Sequence, residues 1–275
     1  LTPLVMTWML AGRTEPGLWR QPFLVIGSLG VLWLAAWFVL LRDSDFTTPS
    51  TNAPEPGAAR TGGDAPSDGE GSFWRVIFTR RFAVLVVIVA CINTCWQIIR
   101  AWLPKFLQEG RGYEESAALY FNSFYYIATD VGCLGAGAMS LWLVKRGFTV
   151  HGSRAFVYGC CAALTALTVV VAFLPKGWLL LGLFLVVGAG ALGLFPCYYS
   201  FTQELSTRHQ GKVTGLLGTV AWASSSPFQK LFGWTVDRTH SFDQGMALAG
   251  VLPIIAFLFL WLCWEPRQDK PKSIP

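Results

Sequence analysis

The 275-residue chain is 53% hydrophobic and only 13% charged, with a formal net charge of +5. Soluble domains carry about 25% charged residues, so this composition excludes an ordinary soluble globule and marks an integral membrane protein. The positive balance includes no basic cluster interleaved with aromatics, which argues against a nucleic-acid surface. No G-x-S-x-G stretch or P-loop appears, and His151, His209 and His240 all fall in predicted loops, so nothing supports an enzyme.

Residues 1–12 read as the end of a membrane span. The first residue is Leu1, and no basic, signal-like segment precedes an apolar stretch, so an N-terminally truncated chain is expected. The first complete span is predicted at about 23–41. Residues 43–72 then turn rich in Pro, Gly, Ser, Thr and Asp, too polar to bury enough surface to offset their ordering entropy, and read as a flexible linker. The basic, amphipathic FWRVIFTRR that follows suits a short helix on the membrane surface. Six further spans are predicted at about 82–107, 118–144, 154–174, 178–204, 211–236 and 243–264, each long enough to cross a bilayer, which takes roughly 20 residues. They are too long and continuous for barrel strands. The chain is therefore all-α, with seven complete transmembrane helices and part of another.

Counting Lys and Arg by alternate loops gives 13 on the side of the linker and C-terminus and six on the other. The positive-inside rule then places the linker and the C-terminus in the cytoplasm. Arg100 and Lys230 belong to neither set, because they fall within spans. The seven cysteines all lie in apolar runs without a CxxC pair, as small hydrophobes of helix contacts do. No metal site and no cofactor are expected.

The six helices after the linker read as two triplets. The first helix of each carries polar and aromatic groups (NTCWQIIR, FPCYYSFTQE). The second is rich in small residues: Gly132, Gly135 and Gly137 in one, Gly211, Gly215 and Gly218 in the other. Such 3+3 repeats are a transporter pattern, and the glycines are expected to let helix backbones approach.

The candidate site residues lie on these helices. Asn93, Gln97 and Arg100 are spaced i, i+4, i+7 and share one helix face. A guanidinium inside hydrocarbon is costly unless it borders water, a solute or another helix. Arg100 offers a planar fork for a carboxylate, or snorkels to the outer interface. Asn93 and Gln97 can bond sugar hydroxyls or neighbouring helices. Asn122, Tyr126 and Asp130 form a continuous stripe at i, i+4, i+8. Asp130 is a candidate proton acceptor, or a helix–helix hydrogen-bonding group. Tyr199 and Gln203 share a face in the second triplet, where Tyr198 adds a ring. Trp222, with Ser224 to Ser226 before Pro227, offers a ring to the apolar side of a sugar, or packs. Glu204, near Arg208 and Lys212, reads as a cytoplasmic latch or an ordinary interfacial ion cluster.

Four stretches carry a resemblance to a known family: GLWRQPFLVIGSLGVLW (17–33), AWLPKFLQEGRGY (101–113), ATDVGCLGAGAMSLWLVKRG (128–147) and TQELSTRHQGKVTGLLG (202–218). With the helix pattern they resemble, over nearly the whole chain, the major facilitator superfamily, and within it the anion:cation symporter branch of hexuronate and galactonate transporters. The resemblance implies a twelve-helix fold of which this chain is the C-terminal part. Residues 1–42 would end the N-terminal bundle, with part of helix five and helix six. Residues 43–72 would be the central loop, 73–267 the C-terminal bundle of helices seven to twelve, and 268–275 a cytoplasmic tail. It also implies a monomer in the cell membrane that carries a small organic anion with protons by alternating access. Asn93, Gln97, Arg100, Asn122, Tyr126, Tyr199, Gln203 and Trp222 would then contact the solute, and Asp130 would take part in proton coupling. A facilitator of a neutral solute and a non-transporting sensor on the same scaffold are the alternatives. One departure stands out: the family loop commonly has Ser-Asp where this chain has Ser140-Leu141 before Lys145-Arg146-Gly147.

Overall fold

The computed structural model describes residues 20–40, 73–206 and 209–264. The expected partial span at 1–12, the linker at 43–72, Arg208 and the tail lie outside these. Contacts divide the chain into two units, Leu1–Gly69 and Glu70–Pro275. In the first, the described residues form a single helix, α1 (Arg20–Leu40), whose only charged residue is its first.

The second unit is a helical bundle. A short helix α2 (Phe73–Ile77) leads into α3 (Arg80–Lys105), where the Thr79 hydroxyl accepts a hydrogen bond from the Phe82 N–H at 3.2 Å and so caps the helix. Then come α4 (Glu115–Lys145), α5 (Val150–Ala166), α6 (Thr168–Val171), α7 (Trp178–Leu205), α8 (Gln210–Thr239) and α9 (Asp243–Cys263). The predicted run 154–174 is thus two helices, broken at Leu167. Among the described residues six stretches are long and apolar enough to span a bilayer: Arg20–Leu40, Arg80–Gly110, Glu115–Lys145, Val150–Val171, Trp178–Leu205 and Asp243–Cys263. The 30-residue α8 matches them in length but carries Lys212, Thr219, Ser224 to Ser226, Gln229 and Lys230, which dilute its apolar character.

Proline interrupts four helices: Pro104, Pro196, Pro227 and Pro253. Lacking an N–H, each leaves the carbonyl four residues earlier without its usual helical donor. In α3 that carbonyl belongs to Arg100, and the chain past Pro104 widens into a π-helical turn, Phe106–Gly110.

The expected repeat is visible in which helices touch. α3 packs on α8 and α9, α7 packs on α4 and α5, and α3–α7 and α5–α9 also meet. Exchanging α3, α4, α5 with α7, α8, α9 maps this set onto itself. Ion pairs obey the same exchange. Arg111, just past α3, binds Asp243 at the start of α9, with Nη2 2.8 Å from Oδ1. At the other end of the bundle Glu204, near the end of α7, binds Arg154 at the start of α5. Glu204 therefore finds its partner on α5, not at Lys212 as its position in the chain suggests.

Helices in lipid associate through close contact rather than through burial from water. Here the closest approach is α4 on α7. A Cβ built on Gly132 would lie 2.2 Å from the Ala189 carbonyl oxygen, and one on Gly188 would lie 2.6 Å from the Tyr125 ring. Gly135, Gly137, Gly211, Gly215 and Gly218 border open space among the described residues. The glycine contact expected of both second helices is thus made by Gly132 and by glycines of α7. Two apolar clusters fill the bundle, one around Leu85, Ile88, Tyr158, Phe201 and Leu217, the other around Ile99, Phe106, Tyr125, Phe184 and Met246. On α3 the change from one to the other falls at Asn93 and Thr94.

Candidate functional site

The polar residues of α3 lie where the two clusters meet. Asn93 is 8% exposed. Its Nδ2 donates to the Ala221 carbonyl of α8 at 2.8 Å and reaches Ser225 Oγ at 3.5 Å. Two and a half turns on, Trp102 Nε1 donates to Gln229 Oε1 at 2.7 Å. Residue numbers rise together along the two helices, so α3 and α8 run parallel, stitched at both points. Gln97, one turn past Asn93, is buried and makes no side-chain hydrogen bond among the described residues. Arg100 is exposed and has no carboxylate partner among them.

Arg100 and Trp96 are four residues apart and stand on the side of α3 nearest α4. The Trp96 ring stacks near Tyr125 at 6.4 Å, meets Tyr126 edge-on at 6.4 Å, and meets Phe195 of α7 at 6.5 Å. Arg100 follows Trp96 by one helical turn, so it stands on the same side of α3 as the Tyr126 contact. Tyr126 is half-buried, and Asp130, one turn deeper on α4, is exposed and without an ion-pair partner among the described residues. Asn122, one turn the other way, is buried, and its Oδ1 accepts no hydrogen bond there. The stripe Asn122, Tyr126, Asp130 therefore runs past the guanidinium.

Trp222 is 63% exposed on α8. It starts a second stripe, Trp222, Ser226, Lys230, at i, i+4, i+8, all exposed. The opposite flank of α8 faces α9, across a cleft of about 180 Å³ lined by Ile98, Phe228, Leu231, Phe232, Gln244 and Leu248.

Tyr199 and Gln203 stand apart from this group. Tyr199 packs on Phe195 at 6.5 Å and Tyr198 at 5.1 Å, one turn below the Trp96 contact. Gln203 is exposed, about 12 Å along α7 from Phe195 at 1.5 Å per residue, next to the Glu204–Arg154 ion pair. The structure thus brings Arg100, Tyr126 and Asp130 along one exposed face and leaves Gln203 toward the other end of the bundle. Sequence reasoning missed Trp96 as the ring joining α3, α4 and α7. The signal was present, since it precedes Arg100 by one helical turn.

Several helices long and apolar enough to cross a bilayer define a polytopic membrane protein. A model of the Major Facilitator Superfamily matches residues 1–229, and the chain belongs to that superfamily. It is similar to a probable L-galactonate transporter of Escherichia coli (strain K12), 25% identical over 267 residues that cover 93% of this chain and 57% of the relative. It is likewise similar to the hexuronate transporter of the same strain, 21% identical over 277 residues, 98% of this chain and 62% of the relative. A probable galactarate/D-glucarate transporter of Bacillus subtilis (strain 168) is 24% identical over 282 residues, 94% of this chain and 61% of the relative. The chain spans about three-fifths of the length of these relatives. They are transporters, not enzymes.

Proposed function

We propose that this chain belongs to a secondary transporter that moves a small, sugar-acid-like organic anion across the cell membrane together with protons, by alternating access. The observation that carries the reading is Arg100: a guanidinium on an apolar helix, exposed, unpaired among the described residues, and one turn past Trp96, whose ring meets Tyr126. A cation within an apolar span is retained where it meets water, a solute or a counter-charge, and the planar fork suits bidentate contact with a carboxylate. The names of the similar transporters agree with such a solute. Gln97, Asn122, Tyr126 and Trp222 would supply hydroxyl and ring contacts. Asn93, tied to α8, would hold the helix that presents Arg100. Tyr199 and Gln203 would meet the solute on its way to the cytoplasmic side, where the linker and the C-terminus lie. Asp130 would exchange the coupled proton.

The test is uptake of labelled galactonate by proteoliposomes containing the full-length, monomeric protein. An inward proton gradient should drive accumulation, and Arg100→Ala should abolish binding without lowering expression. Asp130→Asn should leave exchange of solute intact but remove its response to the gradient. Uptake that survives Arg100→Ala unchanged would favour a neutral solute and overturn the anion reading.

A further inference from the structure

We propose that Lys230 is the second cation of the site and fits it to a solute with two carboxylates. The inference rests on the anion reading above and concerns the number of charges the site accepts. The parallel register of α3 and α8 carries it. Asn93 meets Ala221 and Ser225, and Trp102 meets Gln229. Arg100, between them, is level with the turn of α8 that holds Lys230. Both side chains are exposed, and neither has a carboxylate partner among the described residues. Lys230 continues the Trp222–Ser226 stripe, away from the cleft that faces α9. It sits about 14 Å short of the end of α8, a helix as long as the six apolar ones, at a depth where an ammonium is expensive unless an anion or water meets it.

Two cations at one level on adjacent helices would repel each other when empty, and a single carboxylate neutralises only one. A solute with a carboxylate at each end of a short carbon chain satisfies both, with its hydroxyls left for Gln97, Tyr126 and Ser226. Asp130 sets the floor. It lies one turn past Tyr126 on α4, and so about two turns below the level of Arg100; a carboxylate there disfavours a second carboxylate at its own depth.

The test compares galactarate, with two carboxylates, against galactonate, with one, by titration calorimetry on the full-length protein. The wild type should prefer galactarate. Lys230→Gln should weaken galactarate binding by about tenfold to a hundredfold, the loss expected for one hydrogen bond to a charged group. Galactonate binding should change by less than about threefold on the same reasoning, and Lys230→Arg should keep the preference. Arg100→Gln should weaken both solutes. If Lys230→Gln leaves the galactarate-to-galactonate ratio unchanged while Arg100→Gln still weakens both, the two-carboxylate inference falls and the anion reading stands. If the wild type binds neither solute, both fall. Monodisperse elution of each variant separates loss of binding from loss of fold.

Discussion

Gly132→Ala puts the contact between α4 and α7 under the most direct stress. The added methyl would lie 2.2 Å from the Ala189 carbonyl oxygen and 2.3 Å from its Cα. These are backbone atoms, so no side chain can swing aside. Ordinary contact at about 3.5 Å requires the two helices to separate locally by about 1 Å. That shift also pulls on Gly193, whose own Cβ would stand 3.3 Å from the Gly132 carbonyl. Overpacking of this kind costs about 1–3 kcal/mol, partly offset by the gain of about 1 kcal/mol that alanine brings to a helix over glycine. Gly135→Ala is the internal control, since nothing lies within 4 Å of its added methyl, and it should be neutral or slightly stabilising. The assay is thermal unfolding in one detergent followed by tryptophan fluorescence. At roughly 2–4 °C per kcal/mol for a unit of this size, Gly132→Ala should melt several degrees below Gly135→Ala. Equal melting temperatures would refute the close α4–α7 approach.

Arg111→Ala should be the most damaging single change at that end of the bundle. It removes the ion pair to Asp243 and the bonds to the Leu174 and Ala172 carbonyls. A loss of about 3 kcal/mol or more is expected for a partly buried, multiply bonded charge, measurable as a drop in melting temperature larger than that of Asp243→Asn. Asn93→Ala should cost about 0.6–1.7 kcal/mol, the range for interhelical hydrogen bonds in membranes. A double-mutant cycle with Ser225→Ala should show little coupling, because the 2.8 Å bond goes to the Ala221 backbone instead. The Arg154–Glu204 pair is partly exposed, at 25% and 30% of side-chain area, so its cycle should yield no more than about 1 kcal/mol.

Hydropathy alone marks the spans, because a run of twenty apolar residues has few other uses. It misses the break at Leu167, since Leu167 is as apolar as its neighbours, Thr168 adds a single hydroxyl to an apolar run, and the interruption comes from backbone geometry. It also sees the polar flank of α3 but not how far each group reaches into it. Periodicity puts Asn93, Gln97 and Arg100 on one face, yet only the neighbouring helix decides that Asn93 is taken up by a carbonyl of Ala221 while Arg100 meets no carboxylate among the described residues. The glycines make the same point. Six of them look alike in the chain, and which one meets another backbone depends on how α4 is rotated. Tyr199 and Gln203 share a face, but their distance from Arg100 depends on where α7 starts relative to α3. Glu204 and Arg154, fifty residues apart, are brought together only by the folded bundle.

The swapped contacts between the two triplets have a consequence for how the bundle is assembled. Neither triplet closes a core alone, because α3 finds its main neighbours among α8 and α9, and α7 among α4 and α5. A chain severed between Val171 and Trp178 would yield two halves that each leave their first long helix, α3 or α7, ungripped. Co-produced, those halves have an incentive to clasp one another; made singly, each has nothing to hold.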